Sequence, residues 1–282
     1  MFILIPLGGK GERFKKEGYK TPKALIKILD KPVIYYLLEN LNLSNIEFVY
    51  IPYNIEYERY NFEQLLRKDF PNINFKFLIL QEDTEGPVET IKLALNKLNI
   101  KDCPVLSVDC DNFYKEDIIN LWQGKNKIIT FLDNTHENIF SYAKIEGNLV
   151  KKIVEKEKIS NIACTGSYGF DSYKILLKYS EKMIKEKNKI KNEYYISGLI
   201  NSMLSDKINF ELANIKNKNY FSLGTPDLTE QFKKILLFDL DGTLVNTDNL
   251  YSRVWEKILK KYNIDTNYNF FKHFIKGKSD KD

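Results

Sequence analysis

The sequence predicts an α/β protein built on an open, mostly parallel sheet with helices on both faces. Short apolar runs recur along the chain, helical stretches separate them, and the first run ends in glycines. Phe2 to Leu7 is a continuous apolar run closed by Gly8 and Gly9, the pattern of a strand buried on both faces. Pro32 to Leu43 reads as a helix. Ile46 to Ile51, Asn74 to Leu80, Pro104 to Val108 and Lys127 to Phe131 are further strands, with helical stretches such as Val88 to Leu98 between them. In sheets of this kind ligands bind outside the carboxyl ends of the strands, so chemistry is expected there.

At 282 residues, 43% hydrophobic and 29% charged, the chain falls in the ordinary globular class. Lys and Arg number 43 against 38 Asp and Glu. The two signs are interleaved, as in Glu181 to Lys187, which reads as a solvated helix face; no nucleic-acid partner is expected. The apolar start is too short for a signal peptide or a membrane span, so neither export nor a membrane partner is expected. Cys103, Cys110 and Cys164 form no CxxC pair and suit a reducing, cytoplasmic compartment. His136 and His273 are too few for a histidine-based zinc site or a Ser-His-Asp triad. A homo-oligomer is left open.

The segment Leu7-Gly8-Gly9-Lys10-Gly11-Glu12-Arg13-Phe14 follows the first strand. Glycines allow consecutive backbone N–H groups to turn around phosphate oxygens, and Arg13 and Lys23 add positive charge. A plain glycine turn is the alternative. The spacing matches neither the dinucleotide fingerprint nor a P-loop. With Thr21-Pro22-Lys23-Ala24-Leu25 and Lys31-Pro32-Val33-Ile34, the segment resembles the opening of the sugar-phosphate nucleotidyltransferases, or nucleotide-sugar pyrophosphorylases. The resemblance implies a Rossmann-like fold of the nucleotide-diphospho-sugar transferase type. It also implies that Leu7, Gly8, Gly9, Gly11, Arg13 and Lys23 hold the triphosphate.

Later motifs are similar to the same family in unbroken order to about residue 232. Gln81 and Gly86, in Gln81-Glu82-Asp83-Thr84-Glu85-Gly86-Pro87, match residues that meet the base, although Pro87 departs from the family's usual residue. Asp109 and Asp111 end an apolar strand two residues apart, so both can face one metal, and hard oxygen ligands suit magnesium. The resemblance favours Asp111, followed by Asn112-Phe113, as the metal aspartate. Glu155, Lys156, Gly166, Lys191 and Glu193 resemble the half that grips the acceptor, with Lys191 where arginine is common. Gly224-Thr225-Pro226-Asp227 resembles a closing motif whose aspartate, Asp227, is a second metal ligand; a turn and helix cap is the plain alternative.

Residues 233–282 form a second expected unit. Lys234 to Val245 contains Phe238-Asp239-Leu240-Asp241-Gly242-Thr243, which looks like the first motif of haloacid dehalogenase-like hydrolases. That resemblance implies Asp239 as nucleophile and Asp241 as acid and base. No later motif of that family follows, so the unit is expected to be an incomplete, N-terminal fragment without hydrolase activity.

The expected reaction joins an NTP to a sugar phosphate, or a related polyol or alcohol phosphate, with release of pyrophosphate. Arg13, Lys23 and Asp111 are the expected catalytic residues, magnesium the cofactor, and surface polysaccharide precursors the expected products. A glycosyltransferase using Asp109-Cys110-Asp111 as a D-x-D metal motif is the rival, and a non-catalytic nucleotide-binding regulator the third reading.

Overall fold

The computed structural model describes residues 1–9, 11–235 and 247–276. The chain divides into two compact units, Met1–Phe232 and Lys233–Asp282. The first unit begins with β1 (Phe2–Leu4), α1 (Glu12–Lys16), β2 (Lys27–Ile28), β3 (Lys31–Pro32), α2 (Val33–Leu38), β4 (Val49–Asn54) and α3 (Phe62–Asp69). It continues with β5 (Phe75–Leu80), α4 (Pro87–Leu95), β6 (Val105–Val108), β7 (Asn112–Tyr114), α5 (Ile118–Trp122) and β8 (Lys127–Leu132). There follow β9 (Ser141–Glu146), β10 (Leu149–Glu155), β11 (Ile162–Phe170), α6 (Tyr173–Lys185), α7 (Ile196–Ser205), β12 (Glu211–Asn214), β13 (Tyr220–Ser222) and α8 (Pro226–Ile235).

Nine strands form one sheet in the order β5-β4-β1-β6-β11-β8-β12-β10-β9. Its first four strands are parallel, as the βαβ spacing implies. The rest is mixed: β11 runs antiparallel to both β6 and β8, and β9 and β10 pair antiparallel. The cause of the β9–β10 reversal is local. Gly147, at a φ of 59°, closes the tight turn between them, and a hairpin needs no crossover helix.

Alternation along β1 explains why both faces are covered. Ile3 and Ile5 pack with Ile34 and Leu37 of α2, Phe62 and Leu66 of α3 and Trp122 of α5. Phe2 and Leu4 pack with Val88 and Ile91 of α4, Leu176 of α6 and Leu199 and Met203 of α7. All of these side chains are fully buried, so the central strands are held rigidly and their ends make a firm platform.

The second unit holds α9 (Asp248–Lys260) and α10 (Tyr268–Phe274), with Lys276 paired to Asp248. No described helix is long and apolar enough to cross a membrane.

Candidate active site

The segments that follow β1, β5 and β6, the end of β10 and the middle of β11 line one cavity of about 850 Å³. Leu7, Gly8, Gly9, Gly11 and Arg13 form part of its wall. Leu7 bridges Tyr53 in parallel, so the glycine loop leaves from the carboxyl edge of the sheet. Gly11 takes the left-handed conformation and starts α1, which carries Arg13 at an exposed position.

Lys23 opens a short 3-10 turn, and its Nζ lies 2.6 Å from Asp111 Oδ2. The pair is shielded, with side chains 28% and 12% exposed. Burial pulls the Lys23 ammonium down, but the Asp111 carboxylate opposes it and leaves the lysine above its ordinary range. A charged ammonium is thus fixed at the end of β6. Asp109 lines the same wall, and burial, reinforced by Asp111, pushes its carboxyl above the usual carboxylate range while Lys23 offsets part of the shift. Cys110, between the two acids, is buried and its thiol is pushed up, which rules it out as a ready nucleophile.

Gly166 gives Asp109 room. It sits in β11 at a φ of 87°, where the β11–β8 register shifts between Cys164 and Ser167. A Cβ there would overlap Asp109 Oδ2 and lie 2.9 Å from Asn112 Nδ2. The motif resemblance assigns Gly166 to the acceptor; its tightest contact is with Asp109.

Across the cavity, Glu155 ends β10 and is buried. Ser141 and Ser197 both donate to its Oε2, the latter at 3.1 Å, which holds the carboxylate in place. Lys156, at a φ of 54°, donates from Nζ to Tyr195 Oη at 2.7 Å and lies over the Tyr195 ring. Burial lowers the Lys156 ammonium despite Glu155 beside it. Arg13 acts electrostatically on both Lys156 and Tyr195, so its charge reaches this side too. Glu193 and Tyr195 complete the wall.

Gly86 also lines the cavity, but Gln81, Lys191 and Asp227 do not. Gln81 is exposed, directly after β5. Lys191 is exposed at a φ of 47° and donates from Nζ to the Lys156 carbonyl at 3.3 Å. Asp227 is exposed because the chain has already turned into α8 there. Around it Ser222, Gly224, Thr225 and Leu228 do line the cavity; Ser222 is register-paired with Asn112 across β13 and β7, and a Cβ at Gly224 would overlap Asp111 Oδ2. Motif reading also passed over Tyr195 and Thr84; Tyr195 could have been suspected from its position two residues after Glu193. Asp239 and Asp241 lie outside the described residues.

The sequence model of a family described as nucleotidyl transferase matches residues 3–234. The chain belongs to the nucleotidyl transferase family. It is 29% identical over 215 residues to the bifunctional protein GlmU of Aliarcobacter butzleri, covering 72% of this chain and 46% of that protein. The chain spans about half the length of the curated relatives it matches. In fold, this nucleotidyl transferase is similar to the nucleoside-diphosphate-sugar pyrophosphorylase of Vibrio cholerae RC9, with a TM-score of 0.70 at 20% identity, covering 83% of this chain and 100% of the other. It is also similar to the CTP:phosphocholine cytidylyltransferase of Streptococcus pneumoniae, with a TM-score of 0.67 at 15% identity, covering 84% and 99%.

The donor set near β6 fits magnesium only with help from substrate. No group of three His, Cys, Asp or Glu among the described residues could hold a metal ion. Two hard carboxylates crowded on one wall are nevertheless what a magnesium ion takes when phosphates and waters supply the remaining ligands. Asp109 and Asp111 meet that description, whereas exposed Asp227 lies off the cavity wall.

Proposed function

We propose that this nucleotidyl transferase joins an NTP to a phosphorylated small molecule, a sugar phosphate or a related polyol or alcohol phosphate, and releases pyrophosphate. The observation that carries the reading is the shielded Lys23–Asp111 pair, 2.6 Å long, in a cavity shared by the glycine loop and the Glu155–Lys156 wall. An acceptor phosphate oxygen attacks the α-phosphorus in line; a new P–O bond forms, the bond to the β-phosphate oxygen breaks, and its electrons leave with pyrophosphate. The acceptor is already ionised near neutral pH, so no general base is needed. What the site must do is hold two anions together. Arg13 and Lys23 neutralise the triphosphate, Lys156 the acceptor phosphate, and the fixed Glu155 carboxylate accepts hydrogen bonds from acceptor hydroxyls. A magnesium ion held by Asp111 and Asp109 with the substrate phosphates would supply further charge neutralisation.

For residues 233–282, the Phe238 to Thr243 motif supports a separate haloacid dehalogenase-like unit with no part in the transfer. The deciding experiment is a panel of four NTPs against several sugar, polyol and alcohol phosphates, read by pyrophosphate release. Release should require NTP, divalent metal and phosphorylated acceptor together. Transfer from a ready-made nucleotide sugar to an unphosphorylated acceptor, without pyrophosphate, would instead make Asp109-Cys110-Asp111 a glycosyltransferase motif.

A further inference from the structure

Two sides of the cavity meet behind it, at a residue that lines neither. Glu85, Gly86 and Pro87 lead into α4 on the side assigned to the nucleotide. Glu193 and Tyr195 belong to the side assigned to the acceptor. Between the last two sits Tyr194, whose side chain is buried in the core with α4 and α7. Its main chain grips the opposite segment twice: Tyr194 N–H donates to the Glu85 carbonyl at 2.8 Å, and Val88 N–H donates to the Tyr194 carbonyl at 3.1 Å.

Glycine at position 86 makes this approach possible. Its φ is 131°, and a Cβ there would lie 2.7 Å from Tyr194 N and 2.9 Å from Tyr194 O. Any side chain would push the two segments apart at their backbones. A lighter clasp lies outside: Lys189 Nζ is 2.7 Å from Glu85 Oε1 and 5.1 Å from the Tyr194 ring centroid. That exposed ion pair contributes little alone, but it closes over the main-chain pair. The segment it belongs to holds Lys187, Lys191 and Asn192 in the left-handed region, a conformation that persists only where neighbouring contacts impose it. Glu193 is also tied locally, by paired main-chain bonds with Ile190, so the contacts through Tyr194 are what join this turn to the Glu85–Val88 segment. Tyr195 extends the link by accepting from Lys156.

We infer that Tyr194 is a positioning residue that makes the two halves of the cavity order together. Nucleotide bound against Thr84 to Pro87 fixes Glu193 and Tyr195 before the acceptor arrives, and bound acceptor firms the nucleotide loop by the same amount. The inference rests on the functional reading above, and the test separates the two. Calorimetry with α,β-methylene analogues of the four NTPs first establishes nucleotide binding; if none binds, the functional reading itself fails. Hydrogen–deuterium exchange on the full chain then reads peptides across Lys187–Ser197. With a bound analogue they should exchange roughly tenfold more slowly. In Gly86→Ala, whose added methyl meets Tyr194, that protection should be lost even at an analogue concentration that calorimetry shows to saturate the variant. Lys189→Met, which leaves the main-chain pair intact, should weaken it several-fold, and Lys189→Arg should restore it, so the test survives misfolding of the glycine variant. Protection confined to Gln81–Leu95 in the wild type, or undiminished in both Gly86→Ala and Lys189→Met, would overturn the inference.

Discussion

Gly166→Ala separates a role in seating Asp109 from a role in holding the acceptor. The new methyl would stand inside contact distance of Asp109 Oδ2, 2.9 Å from Asn112 Nδ2, on a backbone whose φ is 87°. Left-handed backbone costs roughly 1–2 kcal/mol for an alanine, and overpacking adds about 1–3 kcal/mol, for a total of roughly 2–5 kcal/mol. For a domain of this size that lowers the melting temperature by roughly 4–20 °C. The overlap is relieved most easily by rotating Asp109, and a shift of about 1 Å in a group that positions phosphates lowers turnover by roughly a hundredfold. Thermal denaturation gives the first number; pyrophosphate release at varied metal and acceptor concentrations gives the second. The loss should fall on kcat and on the divalent-metal requirement, with the acceptor KM little changed. A variant with normal kcat and a raised acceptor KM would refute the argument and return Gly166 to the acceptor side.

Lys23→Met should lower turnover by about two to three orders of magnitude, the range for one lost electrostatic donor, while circular dichroism stays native; near-normal turnover would remove Lys23 from the site. Asp227→Asn should turn over at close to the wild-type rate because Asp227 is exposed outside the cavity wall, whereas Asp111→Asn should lose at least about a hundredfold. Equal losses in the two would instead give Asp227 the metal-ligand role that the motif resemblance implies. Asp133→Asn tests the core: burial pushes that carboxyl up, but donors on Tyr142 and Thr135, and the Lys158 ammonium, outweigh burial and hold it below its ordinary range. A depressed folded value stabilises the fold above the unfolded pKa, and the contribution disappears as pH falls below about 4. The variant should be less stable by roughly 2–3 kcal/mol at pH 7 and have a flatter acid limb in denaturation curves; parallel limbs would contradict it. Asp239→Asn should leave pyrophosphate release unchanged, measured on the full chain.

The parallel half of the fold is legible because its strands are unbroken apolar runs. Val49 to Tyr53 and Val105 to Val108 are buried throughout, and nothing else explains such runs between amphipathic helices. Strands β9 to β11 escape a pattern reading for opposite reasons. In β10 the exposed Lys151 and Lys152 stand together and break strict alternation. In β11 the buried middle is Thr165-Gly166-Ser167, small and polar residues that resemble a turn. The glycine loop and Asp111 are legible because each follows a strand end closely in sequence, whereas Lys23, beyond α1, is singled out only by the string Thr21-Pro22-Lys23-Ala24-Leu25. Asp227 belongs to a motif, Gly-Thr-Pro-Asp, whose Gly224 and Thr225 line the cavity while Asp227 itself is exposed at the start of α8. The contact of Tyr194 with Glu85 and Val88 joins segments more than a hundred residues apart, and no local pattern encodes it.

The break from parallel to antiparallel pairing brings residues of both kinds of strand to one cavity. In a wholly parallel sheet the site lies outside a single row of carboxyl strand ends. Here β11 enters between β6 and β8 in the opposite direction, so its middle residues, not its carboxyl end, come alongside Asp109. The register shift beside Gly166 lets the strand clear Asp109 and Asn112, as bulges near active sites commonly do. Strand β10, on the antiparallel side, then delivers Glu155 and Lys156 to the far wall, where Ser197 at the start of α7 fixes Glu155. The parallel half thus supplies the glycine loop, Asp109 and Asp111, and the antiparallel half supplies the opposing carboxylate and ammonium. With Lys23 on one side, Lys156 on the other and the acid pair at the seam, two phosphates that repel each other in water can be brought into line. Moving the seam by one strand would part Asp109 from the Gly166 carbonyl to which its N–H donates, and take the acid away from the strands that carry Glu155 and Lys156.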